Sequence, residues 1–290
     1  MPELPDVDAY VQKLDERIRG ETLDQIRISN PFLVRSVEPA LGDANGRRIT
    51  GVRRLGKRVV IGLEPDYWLV LHLMVAGRLQ WREEMITLRG KQQLAAFDFS
   101  SGCLVLTEAG TKKRASLYLV RGKNGLAEHD PGGIEPLECS ASDFAASLDR
   151  ENRTLKRALT NPRTFSGIGN AYSDEILHAA GLSPVTLTGR LSEDEKVRLF
   201  EATRSVLTSW RERLLEETGD AFPAKVTAFR QDMAVHGKFG QPCPVCGTKV
   251  ARIRYKQNET NYCPTCQTGG RLLADRSLSR LLKDDWPGTL

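Results

Sequence analysis

From Pro5 to Arg19 the apolar residues Val7, Tyr10, Val11, Leu14 and Ile18 recur at three- and four-residue intervals. That spacing predicts an amphipathic helix, and Gly20 supplies its stop. After Gly20 the period shortens to two and turn residues recur, so strands are predicted over 22–29, 48–54, 58–63, 68–75, 78–82, 93–99, 103–108 and 115–120. Eight short strands without intervening helices imply a β-sandwich or barrel-like domain. Asp130-Pro-Gly-Gly-Ile-Glu-Pro136 is dense in breakers and ends it. Beyond this loop the pattern is helical, with helices predicted over 142–150, 153–160, 170–180 (ending at Gly181) and 192–218. The last opens with Ser192 and Glu195 at capping-box spacing and is expected to bury Val197, Phe200, Val206, Trp210 and Leu214. Residues 219–240 are mixed and glycine-punctuated, which suits a loop that closes over a site. The expected fold class is α+β and multidomain: a β domain over 1–130, a linker over 131–140, a helical domain over 141–235, a cysteine-bearing segment over 236–270 and a tail over 271–290.

With 290 residues the chain has room for two domains of ordinary size, each with its own core. Hydrophobic residues at 40% and charged residues at 27% place it in the soluble globular class. No apolar run approaches a membrane span, and the opening Met1-Pro-Glu-Leu-Pro-Asp6 is too acidic and polar for a signal peptide. The expectation is therefore a cytoplasmic protein with no membrane partner. The net charge of +5 (42 basic minus 37 acidic residues) is a mild bias, but its distribution is informative. Arg47, Arg48, Arg53, Arg54, Lys57 and Arg58 crowd 47–58, and Lys112, Lys113, Arg114, Arg121 and Lys123 crowd 111–123, with no acid in either run. Charge runs are usually solvated faces, yet two in one region also suit a surface that tracks phosphates.

Three stretches carry chemistry. Cys243-Pro-Val-Cys246 and Cys263-Pro-Thr-Cys266 give C-x2-C, sixteen residues, then C-x2-C, the zinc-ribbon spacing in which two tight turns present four thiolates. Four protein ligands close the coordination sphere, so one structural zinc per chain is expected, worth on the order of 10 kcal/mol of local folding. Disulfides fit poorly where nothing points to export, and Cys103 and Cys139 read as ordinary buried or half-buried thiols. At the amino terminus, removal of Met1 would leave the secondary amine of Pro2 beside the carboxyl of Glu3. An α-amino group titrates near pKa ~8, against ~10.4 for a lysine, so more of it is nucleophilic at neutral pH. Such an amine forms an iminium ion with a carbonyl-level carbon. The plainer alternative is that Pro2 and Pro5 only start a helix. Finally, Asn161-Pro-Arg-Thr-Phe-Ser-Gly-Ile-Gly-Asn170 joins two helices. It reads either as an anion-binding turn, with Asn170 adding a donor toward a DNA phosphate, or as a simple helical hairpin.

Pro2-Glu3-Leu4-Pro5, then Gly167-Ile-Gly-Asn-Ala-Tyr-Ser-Asp-Glu175, then a four-cysteine ribbon, in this order over essentially the whole chain, resembles the formamidopyrimidine-DNA glycosylase / endonuclease VIII family of base-excision repair enzymes. The resemblance implies an N-terminal β-sandwich with a leading helix, a helix-two-turn-helix domain and a zinc-ribbon hairpin. It also implies a monomer that binds damaged double-stranded DNA in the cleft between its domains. By position it makes Pro2 the nucleophile at C1′ and Glu3 the acid that protonates the sugar or base, help typically worth ~10²- to 10⁴-fold. Lys57 falls at the family's lysine for phosphate binding and β-elimination, and Lys156, Gly169 and Asn170 fall at contacts to the DNA backbone. Such enzymes flip the lesion from the duplex.

The chain also departs from its family. Pro5-Asp6-Val7-Asp8 stands where Pro-Glu-Val-Glu is usual, which shortens both carboxylates. In His72-Leu-Met-Val-Ala-Gly77, read as strand, the wedging methionine's position is held by Val75, with Met74 shifted by one to the opposite face. The next loop, Thr107 to Leu117, lacks the family's phenylalanine and offers Lys112, Lys113 and Arg114 as its charges. Before the third cysteine, Asn258 replaces an arginine that grips phosphate and assists δ-elimination, a contact that asparagine cannot make bidentately. Arg252, Arg254 and Lys256 are the cations left to compensate on that hairpin. The expected activity is a bifunctional glycosylase and apurinic-site lyase that favours β- over δ-elimination, with base preference set within 217–229. The alternative is a catalytically weak relative that binds damaged or abasic DNA. An unrelated zinc-ribbon protein binding RNA or protein leaves the amino terminus unexplained.

Overall fold

Helix α1 (Leu4–Ile18) forms where the three-and-four spacing predicts it, and buries Leu4, Val7, Tyr10, Leu14 and Ile18 completely. Glu3 and Asp6 close its start as a reciprocal capping box, in which the Glu3 amide donates to the Asp6 carboxylate at 2.9 Å. The structure, a computed structural model, describes residues 1–224, 226–227, 230–255, 258–274 and 288–289. The chain folds as two compact units, Met1–Pro131 with Trp210–Thr227, and Gly132–Ser209 with Ala228–Leu290.

In the first unit nine strands follow α1: β1 (Thr22–Leu23), β2 (Gln25–Ile28), β3 (Arg47–Leu55), β4 (Arg58–Leu63), β5 (Tyr67–His72), β6 (Gly77–Arg82), β7 (Gln93–Phe99), β8 (Gly102–Glu108) and β9 (Ser116–Arg121). They form a five-stranded sheet in the order β1-β3-β4-β5-β9 and a four-stranded sheet in the order β2-β7-β8-β6. The predicted strand over 22–29 is split because its two halves pair in different sheets, Thr22–Leu23 with β3 and Gln25–Ile28 with β7. One core holds the inward residues of both sheets, Val59, Ile61, Leu69 and Leu71 from the first and Leu79, Phe97, Leu104 and Leu106 from the second, together with the apolar face of α1. Phe222 and Val226, from the far end of the chain, pack on this same core, with the Phe222 ring 5.6 Å from that of Tyr10.

β4 and β5 read as nearly continuous apolar runs because both of their faces are covered. Val60 and Val70 lie on the outer face beneath Leu126 of a short helix, α2 (Gly122–Ala127), which apolar periodicity does not reveal. The run His72–Gly77 is not a strand. β5 ends at His72, residues 74–76 form a turn with Met74 in the left-handed region (φ 52°), and β6 begins at Gly77. The Gly77 amide closes the turn on the Leu73 carbonyl at 2.8 Å, so near that a Cβ on Gly77 would meet this oxygen at 2.2 Å. Alternation across a strand therefore does not govern which way Met74 and Val75 point.

The second unit carries α3 (Ala141–Asp149), α4 (Leu155–Thr160), α5 (Asn170–Ala179) and the start of α6 (Glu193–Thr218). Phe144 anchors its core, with its ring 4.5 Å from Phe165 and 5.5 Å from Phe200. The capping box of α6 forms as expected, Ser192 and Glu195 exchanging bonds of 3.0 and 3.2 Å. Its buried stripe is shifted from the predicted one: Leu199, Thr203 and Leu207 are inaccessible, Phe200 and Leu214 are buried, Val206 and Trp210 are half-buried, and Val197 is 47% exposed. The hairpin β10 (Ala251–Tyr255) and β11 (Asn258–Tyr262) follows, then α7 (Pro264–Thr268). Among the described residues no helix is long and apolar enough to cross a membrane.

Candidate active site and zinc centre

Strand register gathers the first site. Arg58 of β4 pairs with His72 of β5, which pairs with Ser116 of β9, while in the other sheet Gly77 pairs with Glu108. The β3–β4 turn, the 73–76 turn and the 109–115 loop therefore all leave the same end of the sandwich. The β3–β4 turn is two residues long, Gly56-Lys57, with Gly56 at φ +60° in the first central position, the geometry of a type II′ hairpin. It presents Lys57 at its tip. Arg54, just before the turn, pairs with Asp8 of α1 at 2.6 Å and donates to the Gly56 carbonyl at 3.2 Å, so the hairpin is pinned to the helix that carries the amino terminus. The shorter Asp8 thus reaches a partner, as Asp6 does.

Pro2 is buried and Glu3 is 2% exposed. The amino group at Met1 is pushed below the usual α-amino pKa chiefly by burial; the Glu3 and Asp6 carboxylates oppose the shift, while the Arg78 and Lys57 charges add to it. Arg78, which the sequence did not single out, donates to the carbonyls of Val75 (3.1 Å) and Gly77 (2.7 Å) and so stiffens the turn whose tip is Val75, 59% exposed. His72 accepts the Met74 amide on Nδ1 at 3.0 Å, and burial together with Arg58 and Lys57 lowers its pKa to about 4. It is a neutral imidazole at physiological pH. In the next loop the buried Glu108 carboxylate accepts the amides of Arg114 (2.9 Å) and Ala115 (3.1 Å). Lys113 folds back onto the Glu108 carbonyl, leaving Lys112 and Arg114 exposed.

Several cations of the two basic runs are held by neighbours in the sandwich. Arg47 and Arg121 stack on Tyr67 at 4.0 and 5.6 Å, Arg53 stacks on Trp68 at 4.8 Å, and Arg54 pairs with Asp8. Strand alternation sends neighbouring arginines to opposite faces.

The second site is built on α5. Gly169 is its N-cap, and the side chain of Asn170 donates to the Glu259 carbonyl at 2.9 Å. One turn on, the inaccessible Asp174 carboxylate accepts from Lys156 (2.5 Å), His236 Nδ1 (2.8 Å) and the Asn261 amide (3.1 Å). Lys156 also donates to the Asn170 carbonyl at 2.7 Å. Glu175 accepts three successive amides, Ala234 at 2.7 Å and Val235 and His236 at 2.9 Å. Lys156 and Asn170, expected to face DNA phosphate, thus spend donors on fixing α5. On the hairpin, Glu259 draws in Arg252 (3.3 Å) and Arg254 (3.5 Å), and Arg252 also stacks on Phe239 at 4.0 Å. Arg254 stays 62% exposed and Asn258 is exposed beside the hairpin turn, while Lys256 lies outside the described residues.

The thiols of Cys243, Cys246, Cys263 and Cys266 all lie within 4.8 Å of one another, with Cys246–Cys263 at 3.4 Å and Cys243–Cys266 at 3.9 Å. Tetrahedral zinc–thiolate bonds of ~2.3 Å place sulfurs roughly 3.8 Å apart, so the cluster fits one structural zinc. Cys103 is buried and Cys139 half-buried, away from the cluster.

The sequence matches the formamidopyrimidine-DNA glycosylase N-terminal domain over residues 1–114, the H2TH domain of the same enzymes over 133–213, and the zinc finger found in FPG and IleRS over 240–269. It is 31% identical to a formamidopyrimidine-DNA glycosylase of Solibacter usitatus over 282 residues, 92% of this chain and 99% of that one. It is 41% identical over 151 residues, 52% of this chain and 94% of the other, to an uncharacterized formamidopyrimidine-DNA glycosylase-like protein of Mycobacterium tuberculosis. Among solved structures, Lactococcus lactis Fpg in complex with DNA containing an abasic site superposes with a TM-score of 0.81 at 25% identity, covering 92% of this chain and 99% of that one. With an amino-terminal helix on a β-sandwich, a helical unit and a four-cysteine hairpin in the same order, this chain belongs to the formamidopyrimidine-DNA glycosylase family of base-excision repair.

Proposed function

We propose that the protein is a bifunctional glycosylase and apurinic-site lyase that acts on damaged double-stranded DNA as a monomer. Once Met1 is removed, Pro2 is the nucleophile. The observation that carries this reading is the burial of Pro2 together with Glu3, 2% exposed, at a chain start where desolvation already holds the Met1 amine below its ordinary pKa. Desolvation favours the neutral amine, the form that attacks C1′. The Pro2 nitrogen lone pair forms the C1′–N(Pro2) bond as the electron pair of the C1′–N(base) bond leaves with the base. The C1′–O4′ pair then goes to O4′ as the sugar opens to the iminium ion, and Glu3, held at the N-cap of α1, protonates the base or O4′. The iminium ion acidifies C2′, and Lys57 on its hairpin tip contacts the adjacent phosphate and serves the elimination that follows. Val75, Lys112, Lys113 and Arg114 face the duplex from the same end of the sandwich. Gly169, Asn170, Lys156, Arg254 and Asn258 contact its backbone from the second unit. Because Asn258 carries no charge and Glu259 draws on both neighbouring arginines, elimination stops mainly at the β stage.

The phenylalanine-free loop and Asn258 favour a second reading, a damaged-DNA-binding relative with little catalysis. Borohydride trapping on abasic-site DNA separates the two. The lyase reading expects a covalent adduct from protein that begins at Pro2, an altered yield from Pro2→Gly, where a primary amine replaces the secondary one, and none from protein with Met1 retained behind a tag. No adduct from the mature protein sinks it. An adduct unchanged in the blocked form moves the nucleophile to a lysine.

A further inference from the structure

Asn170, Asp174 and His178 stand at i, i+4 and i+8 on α5, so they share one face of the helix. Each holds a different point of the cysteine-bearing segment: Asn170 the Glu259 carbonyl (2.9 Å), Asp174 the Asn261 amide (3.1 Å), and His178 Nε2 the Sγ of Cys243 (3.2 Å). The first two contacts are to backbone. The third is to a zinc ligand, and it is enclosed, with His178 8% and Cys243 3% exposed. His178 is not itself among the four side chains whose ligand atoms lie mutually within 4.8 Å, so its ring nitrogen faces a thiolate rather than the metal position.

We propose that His178 is a positioning residue of the zinc centre: its Nε2–H donates to the Cys243 thiolate, orients that ligand and ties zinc occupancy to helix α5. A zinc-bound thiolate keeps lone-pair density and accepts hydrogen bonds, and in an enclosed site an acceptor left without a donor is costly. Outer partners of this kind typically change metal affinity by ~10- to 100-fold. His178 is the third rung of a ladder whose first rung is Asn170, beside the Gly169 N-cap. Zinc bound at the far end therefore holds the start of α5 in place, and loss of zinc frees the cysteine-bearing segment from the helix at His178 first.

The test uses the full-length zinc-loaded protein with His178→Gln and His178→Met, side chains of nearly equal size of which only glutamine carries a donor near the Nε2 position. Zinc affinity is measured by competition with a chromophoric chelator, and ligand identity by the thiolate charge-transfer bands of the cobalt-substituted forms. The expected result is zinc binding at least tenfold weaker in the methionine variant and within about threefold of wild type in the glutamine variant, with four-thiolate cobalt spectra in all three. Hydrogen exchange at the start of α5 is expected to rise on zinc removal in wild type and to be raised already in zinc-loaded His178→Met. Equal affinities for the two variants, or a cobalt spectrum that loses a nitrogen ligand when His178 is replaced, overturns the proposal.

Discussion

The amino-terminal site and the α5 ladder both concentrate charged residues, but they treat them in opposite ways. Around α5 each buried charge is matched to donors: Asp174 takes a lysine, an imidazole and an amide, and Glu175 takes three amides. At the amino terminus the partly desolvated Met1 amine sits among two carboxylates and two cations, with its pKa pushed below the ordinary value. Charges saturated by hydrogen bonds hold a scaffold rigid, whereas a group whose protonation is perturbed is ready to react. On the proposed function, the first unit carries the chemistry and the second the binding geometry.

The largest test of that contrast is metal removal. Chelation is expected to cost the cysteine-bearing segment on the order of 10 kcal/mol of local folding. Proteolysis should then cut within 236–270 while the 1–131 sandwich stays resistant, and DNA affinity should fall; uniform resistance to proteolysis would break the contrast. Next, Glu3→Gln retains a capping side chain yet removes the proton donor. Base excision is expected to drop by ~10²- to 10⁴-fold with melting temperature nearly unchanged, as read by single-turnover kinetics beside calorimetry. In the second unit, Asp174→Ala removes the buried carboxylate that Lys156, His236 and the Asn261 amide share. Stability should fall by about 3–5 kcal/mol in urea titration, and a loss below about 1 kcal/mol would show that the carboxylate is no keystone.

The smallest effect is a pH dependence. His72 titrates at about 4 in the folded protein, against 6.5 for an ordinary histidine. Between those values the unfolded chain holds a proton that the folded chain does not, so stability falls as pH drops through 6.5 toward 4. Protonation at Nδ1 also breaks the bond from the Met74 amide. Between pH 7.5 and pH 5 this group should cost about 2 kcal/mol. In His72→Gln that part of the slope should vanish; an unchanged slope assigns it elsewhere.

Much of the architecture is legible in the sequence because periodicity reports burial. Nearly every strand and long helix lies within a residue or two of its predicted range, and the cysteine spacing alone locates the metal cluster. Failures occur where burial and period part company. α2 is hidden because Gly122-Lys-Asn-Gly-Leu-Ala127 offers one buried apolar residue and no repeat. The 73–76 turn is hidden because its apolar residues mimic a strand. Val197 is expected inside α6 from its spacing, yet the helix turns its Leu199–Leu207 face inward instead. At the sites, Pro2, Glu3, Lys57 and the cysteines can be given roles from motif; His72, Asp174 and Glu175 fall inside quoted motifs with no role legible there, and Arg78, His178 and His236 fall in none. Apart from the Lys156–Asp174 pair, 18 residues apart, the partners of Asp174, Glu175, His178 and His236 lie about 60 or more residues away along the chain, and the one local clue is the polar stripe Asn170, Asp174, His178.

By itself the sequence determined the order of elements, the family and the residue types able to react or to bind zinc, since these follow from local spacing and side-chain chemistry. Only the tertiary structure decided which of eleven clustered cations remain at the candidate site. Sheet pairing turned Arg47, Arg53 and Arg121 onto aromatic rings and Arg54 onto Asp8. It left Lys57 at a hairpin tip beside a terminus that burial and neighbouring charge had already altered. Charge and pKa depend on solvent exclusion and on distances across the fold, and neither quantity is carried by nearest neighbours along the chain.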